Sequence, residues 1–312
     1  MIIFCFFDII NWTNSNLKVR CVMKKCIICG KSKKESEFNI EHIIPEALGN
    51  KSLKIDKVCT ECNSKLGSKV DKYITTGSFM ELIRNNYKVA GKNKKIPFPF
   101  KEGIDEYGNR VRLDNNFKPT IIPKVEKIGN IYNIKASSKQ EAIEIIEKVY
   151  ERENLNINQK NEIISKIESA EMKTYKPTIS YDIKANFNEI ELAILKIAYE
   201  YAYLRLGDTY YDDICGIEIR KIIQKAINNN KVEKYNFINH IWTESEFGKI
   251  INNLGKEINN SHFLLMQTVN NKIQLIISLF CDMSLSYIMD ISDNADRYDN
   301  TNFIEFIKLN KT

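Results

Sequence analysis

The spacing of apolar positions changes several times along this 312-residue chain, and each change marks an expected element. Leu66, Val70, Tyr73 and Ile74 recur at helical spacing and predict a helix within residues 59–75. Phe79, Leu82, Ile83 and Tyr87 predict a second over 78–90. Ahead of them, residues 24–58 read as strand, turn, strand and loop, so a small ββα unit is expected. Residues 91–103 break the pattern, with a basic run after Gly91 and then Pro97 and Pro99; a domain border is expected there. Beyond it, residues 121–134 read as two short strands around Gly129-Asn130. Ser138-x-x-Glu141 is a capping box opening an amphipathic helix on Ala142, Ile145, Ile146 and Val149. A further helix is expected near 159–171, and a strand through Ile179, Tyr181 and Ile183. Asn188-x-x-Glu191 is expected to cap the most apolar helix, which ends at Gly207. A helix over 217–228 follows. Residues 262–269, 273–280 and 285–291 form an expected three-stranded meander, with Asn270-Asn271 in its first turn.

Composition argues for a folded protein: 43% of residues are hydrophobic and 28% charged, with few Gly and Pro. The net charge of +6 is unevenly placed. Residues 1–100 carry 18 Lys and Arg against 9 Asp and Glu, whereas the remainder carries 28 against 31. The basic part is the part that also holds paired cysteines, and a basic surface attracts phosphate. Residues 1–22 lack a basic leader and a cleavage site, and the apolar run is too short to span a bilayer. Met23 precedes Lys24-Lys25-Cys26 and would be a natural start, so residues 1–23 are expected to be an extension. Cys5, Cys21, Cys215 and Cys281 are scattered among apolar residues, as expected of buried free thiols in a reducing cytoplasm.

The other four cysteines form two close pairs, Cys26-x-x-Cys29 and Cys59-x-x-Cys62, about 30 residues apart. Such turns hold two sulfurs about 3.5–4 Å apart, as tetrahedral zinc requires, and a four-thiolate site is structural. Between the pairs lies Glu41-His42-Ile43-Ile44-Pro45, and Asn63 directly follows the last cysteine. Judged alone, one histidine is more often a surface or core residue. His42 is one of three histidines in the chain, and it stands behind a carboxylate between two zinc knuckles. Its imidazole suits a general base near pH 7. A carboxylate and an amide nearby suit a hard cation.

This arrangement resembles the four-cysteine branch of the HNH endonucleases, whose motif reads Glu-His-Ile-Ile-Pro. The resemblance covers about residues 26–75. It implies an α+β protein with an N-terminal zinc-stabilised ββα-metal (HNH, or His-Me finger) unit, here 24–92, followed by a mixed α+β domain, here 93–312. It implies His42 as general base, Glu41 and Asn63 as ligands of a catalytic Mg2+ or Mn2+, and Cys26, Cys29, Cys59 and Cys62 on structural Zn2+. The family's middle asparagine, which orients the base, is missing from Leu53-Lys54-Ile55-Asp56-Lys57. Asn50 is the nearest substitute, and Asp71 either supports the metal shell or is a solvated helix residue.

The expected partner is DNA, with RNA as the alternative, and Lys24, Lys25, Lys31, Lys33, Lys34, Lys65 and Lys69 are the expected phosphate contacts. One active site cuts one strand, so double-strand cleavage needs a homodimer or two binding events. Domain organisation of this kind is similar to that of bacterial restriction and anti-phage systems, where the second region selects sequence, dimerises or senses a trigger or partner. The competing reading is a non-catalytic zinc-knuckle protein that binds nucleic acid. His240 and His262 are expected to be structural, and Tyr199, Tyr201 and Tyr203 to be core and rim residues rather than a stacking platform. Asp212-Asp213 is expected in a solvated turn.

Overall fold

A computed structural model describes residues 23–91, 94–114, 116–129, 131–153, 156–229, 238–241, 243–251 and 260–310. The expected extension, apart from Met23, lies outside them, as do Cys5 and Cys21. The N-terminal unit opens with a hairpin, β1 (Met23–Lys25) and β2 (Ser32–Lys34), whose loop carries Cys26 and Cys29. Strands β3 (Glu41–His42) and β4 (Lys54–Ile55) pair antiparallel, Glu41 opposite Ile55 and His42 opposite Lys54. Helix α1 (Thr60–Leu66) follows and runs through one π-helical segment, Gly67–Asp71, into α2 (Lys72–Thr75). This is the expected ββα order. Leu66, Val70 and Ile74 are fully buried along it. Helix α3 (Ser78–Asn86) ends earlier than the periodicity suggests, because Lys88 takes a left-handed backbone.

Residues 95–186 build small, mostly exposed elements. Strands β5 (Glu102–Asp105), β6 (Arg110–Leu113) and β7 (Pro119–Ile121) form a meander, and β8 (Lys124–Ile128) and β9 (Ile131–Lys135) a hairpin. Helices α4 (Lys139–Glu153) and α5 (Ile157–Ser169) pack on each other. The capping box forms with a shift: Ser138 Oγ accepts from Glu141 N–H at 3.1 Å, but the Glu141 carboxylate accepts from Ser137 N–H. The expected strand near 181 shrinks to β10 (Ile179–Ser180), which pairs with β5.

Helix α6 (Phe187–Leu206) is the axis of the molecule. It starts at Phe187 with Asn186 as N-cap, so Asn188 lies inside its first turn. Fourteen of its residues are buried on all sides, as a helix apolar around its whole circumference must be. Tyr199 and Tyr201 are fully buried and Tyr203 nearly so, which makes them core residues. Helix α7 (Ile214–Ile227) packs alongside. Asp213 is its N-cap, accepting from Cys215 N–H, and it also takes hydrogen bonds from Ser292 and Tyr298. The expectation of a solvated Asp212-Asp213 turn is therefore corrected at Asp213, which a helix start and two hydroxyls draw inside.

The C-terminal sheet has five antiparallel strands in the order β11–β14–β13–β12–β15. They are β11 (Ile238–His240), then, after the short helix α8 (Glu244–Ile251), β12 (Ser261–Val269), β13 (Lys272–Ser278), β14 (Ser286–Ser292) and β15 (Phe303–Lys308). The expected meander is its centre. Asn270 and Asn271 both have positive φ, as a two-residue primed turn requires. One apolar core runs from Cys26 and Ile27 through α6 and α7 to Leu275, Ile277 and Leu309. Among the described residues no helix is long and apolar enough to cross a membrane.

Candidate active site

The four-cysteine cluster is built by two tight turns. In the β1–β2 loop, Cys26 N–H donates to Lys31 O and Gly30 N–H to Cys26 O. Gly30 sits at φ +73°, a backbone that favours glycine, and a Cβ there would lie 2.6 Å from the Tyr211 hydroxyl, which would have to move. Cys59 precedes the first residue of α1 and donates its N–H to Cys26 Sγ at 3.4 Å; Cys62 lies in the helix's first turn. The four sulfurs all lie within 4.8 Å of one another. Hydrogen bonding from the Cys62 thiol pulls Cys26 down to about 4, while the same contact pushes Cys62 up. Four crowded thiols that share protons in this way fit a tetrahedral dication that replaces those protons.

His42 is half-buried on β3. Asn63, in α1, donates from its carboxamide to Asn39 Oδ1 at 3.0 Å and to Ile40 O at 3.2 Å. It therefore clips the helix to the chain two residues before His42. Its own Oδ1 accepts no hydrogen bond among the described residues. Asn50 is fully buried and makes four hydrogen bonds: it donates to Ile44 O and Leu53 O and accepts from Ser52 N–H and Leu53 N–H. It fastens the loop that leaves the Glu-His-Ile-Ile-Pro segment.

Glu41 points the other way, as neighbours on a strand do. Its carboxylate is 4% exposed and is bound by the ammonium of Lys196, in the middle of α6, at 2.5 Å. The same ammonium donates to the carbonyl oxygens of His42 at 3.1 Å and Ile43 at 3.3 Å. Glu200, one turn on, and Asp71, in the π-helical segment, complete the cluster at 3.2 Å and 3.4 Å. Burial opposes the charge on Lys196, but the carboxylates of Asp71, Glu200 and Glu41 overcome it and hold its pKa above the usual lysine range. Burial pushes the Glu200 carboxyl well above the usual carboxylate range, against the pull of Lys196. Glu41 is pushed upward by burial against the pull of Lys196.

Sequence reading missed Lys196. A signal existed: Lys196 and Glu200, four apart, are the only charged residues in the apolar stretch 192–203. The π-helical segment explains Asp71, which is 8% exposed and ion-paired, not solvated. Glu41 lies on Lys196 in the interior, whereas Asn63 is half-buried and spends its amide N–H groups on Asn39 and Ile40.

The basic surface around the zinc unit is partly self-compensated. Lys24 pairs with Asp56 at 2.6 Å, and Glu61 bridges Lys33 at 3.1 Å and Lys65 at 2.8 Å. Lys25 lies over the ring of Tyr211, 3.6 Å from its centre. Lys31, Lys34 and Lys69 make no ion pair among the described residues, and Lys31 and Lys34 are exposed.

Residues 26–77 match the family described as HNH endonuclease, which makes this segment an HNH-type domain and agrees with the resemblance of its motifs. No curated protein and no solved structure matched the chain.

Proposed function

We propose that the chain is an endonuclease that hydrolyses phosphodiester bonds in DNA. What supports this reading is a half-buried His42 in a segment that matches the HNH endonucleases and holds a four-cysteine cluster, with Asn63 clipping the chain at Ile40, two residues before it. In this reading the neutral imidazole of His42 takes a proton from the attacking water. The water oxygen bonds to phosphorus as the bond from phosphorus to the 3′-oxygen breaks, and the leaving oxygen takes a proton from solvent water. The family resemblance brings with it a requirement for Mg2+ or Mn2+, and the Asn63 Oδ1 is the surface donor this chain presents. Lys31, Lys34 and Lys69 are the cations best able to meet phosphates. The proposal extends, on family analogy, to a bacterial restriction or anti-phage role in the cytoplasm, with residues 93–312 selecting the target, dimerising or sensing a trigger.

A second reading, a zinc-knuckle nucleic-acid-binding protein without catalysis, is favoured by one observation: Glu41 is held by Lys196. Plasmid cleavage by wild type and His42→Ala separates the two. A nuclease loses cutting but keeps binding in the variant, whereas a binding module cuts in neither form.

A further inference from the structure

We propose that Lys196 is a positioning residue for this hydrolysis: from outside the matched segment, it holds the backbone that carries the general base. The inference rests on the nuclease reading above and deepens it.

The local structure around His42 is too slight to fix itself. Strand β3 has two residues and one partner strand of two residues. Beyond it the chain turns at Pro45, which has no N–H to pair. The carbonyls of His42 and Ile43 are instead taken by Lys196, whose third contact is the Glu41 carboxylate. One ammonium has three protons, and three consecutive residues receive them. The grip is stiff because the lysine is itself fully buried on a long, buried helix. Glu200 and Asp71 approach it from its own helix and from the π-helical segment, and keep it charged and aimed. Asn50 takes the next carbonyl, that of Ile44. The carbonyls from His42 to Ile44 are thus held by side chains, in addition to the short β3–β4 pairing and the bond from Ile43 N–H to Leu53 O. Stability alone does not call for a buried cation, since well-packed apolar side chains in place of a buried ion cluster are often as stabilising. What an apolar residue cannot do is bind three backbone and carboxylate oxygens at once.

The test uses the full zinc-loaded chain with 15N-labelled histidine. Only three histidines contribute signals, so each is separable. Wild type, Lys196→Met and Lys196→Arg are compared by ring chemical shifts, zinc content and plasmid-nicking kinetics with Mg2+ or Mn2+. Lys196→Arg keeps the charge and guards against a methionine variant that does not fold. The expected result is a shift of the His42 ring signals in either folded variant, with those of His240 and His262 in place. The kcat falls about tenfold or more, KM stays within about twofold, and arginine falls less than methionine. Unchanged His42 signals, or unchanged kcat in a folded variant, would overturn the role of Lys196 alone. Absence of cutting by wild type would overturn the nuclease reading, and this role with it.

Discussion

His262 ties the C-terminal sheet to the zinc unit: its Nε2 lies 2.9 Å from Leu48 O, while its Nδ1 accepts from Phe280 N–H at 3.0 Å. Because the Phe280 amide can only donate, the proton sits on Nε2 and the ring is neutral. Burial pushes its pKa down to about 4 from an ordinary 6.5. The unfolded chain therefore takes up a proton that the folded one refuses. The contribution is fully present above about pH 6.5 and is lost as pH falls toward 4, up to about 3 kcal/mol in all. Urea unfolding at pH 7.5 and pH 5 should show a larger drop for wild type than for His262→Gln. An equal drop would mean that His262 titrates normally in the fold.

Chelation should unfold the N-terminal unit. Structural zinc contributes on the order of 10–16 kcal/mol to small domains, as much as a whole domain's net stability. Cys26→Ser and Cys59→Ser should lose zinc and near-UV dichroism together. A folded, active Cys26→Ser protein would exclude the four-thiolate centre.

Asn50→Ala should destabilise by about 2 kcal/mol or more, because it leaves buried groups of Ile44 and Leu53 unpaired. Denaturant midpoints measure this at constant slope. A change within about 0.5 kcal/mol would mean that water replaces the amide.

Glu61→Gln should strengthen DNA binding several-fold at low salt, since it frees Lys33 and Lys65. Lys31→Ala and Lys34→Ala should each lower the slope of log K against log salt by about 1. Titrations at several salt concentrations would show it, and unaltered slopes would place the DNA elsewhere.

Local pattern was readable in the sequence. The cysteine pairs, the helix through Val70, the meander and the Asn270-Asn271 turn all follow from neighbours in the chain. The partners of α6 were not. Lys196 meets Glu41 across 155 positions, Tyr199 donates to Ile27 O, and Gln224 to Ile28 O. No periodicity encodes such pairs. Strand β15 alternates too weakly around Glu305 to stand out, and β11 is three residues long. The inward turn of Asp71 depends on a π-helical segment that a 3.6-residue period does not anticipate.

The same interlocking predicts that a fragment of residues 24–92 will not fold alone, even with zinc. It lacks Lys196, Tyr199, Gln224 and His262, and would leave Glu41 and the carbonyls of Ile27, Ile28 and Leu48 without their partners. Amide exchange of that fragment should show protection only around the four cysteines. Full protection would show that α6 is dispensable to it.

The central claim is tested most directly by incubating supercoiled plasmid with the purified protein and Mg2+ or Mn2+, beside an EDTA control and His42→Ala. The account predicts nicked circles from wild type with metal, none with EDTA, and none from His42→Ala, which still retards the plasmid on a gel. Equal cutting by wild type and His42→Ala, or binding without cutting by both, would contradict it.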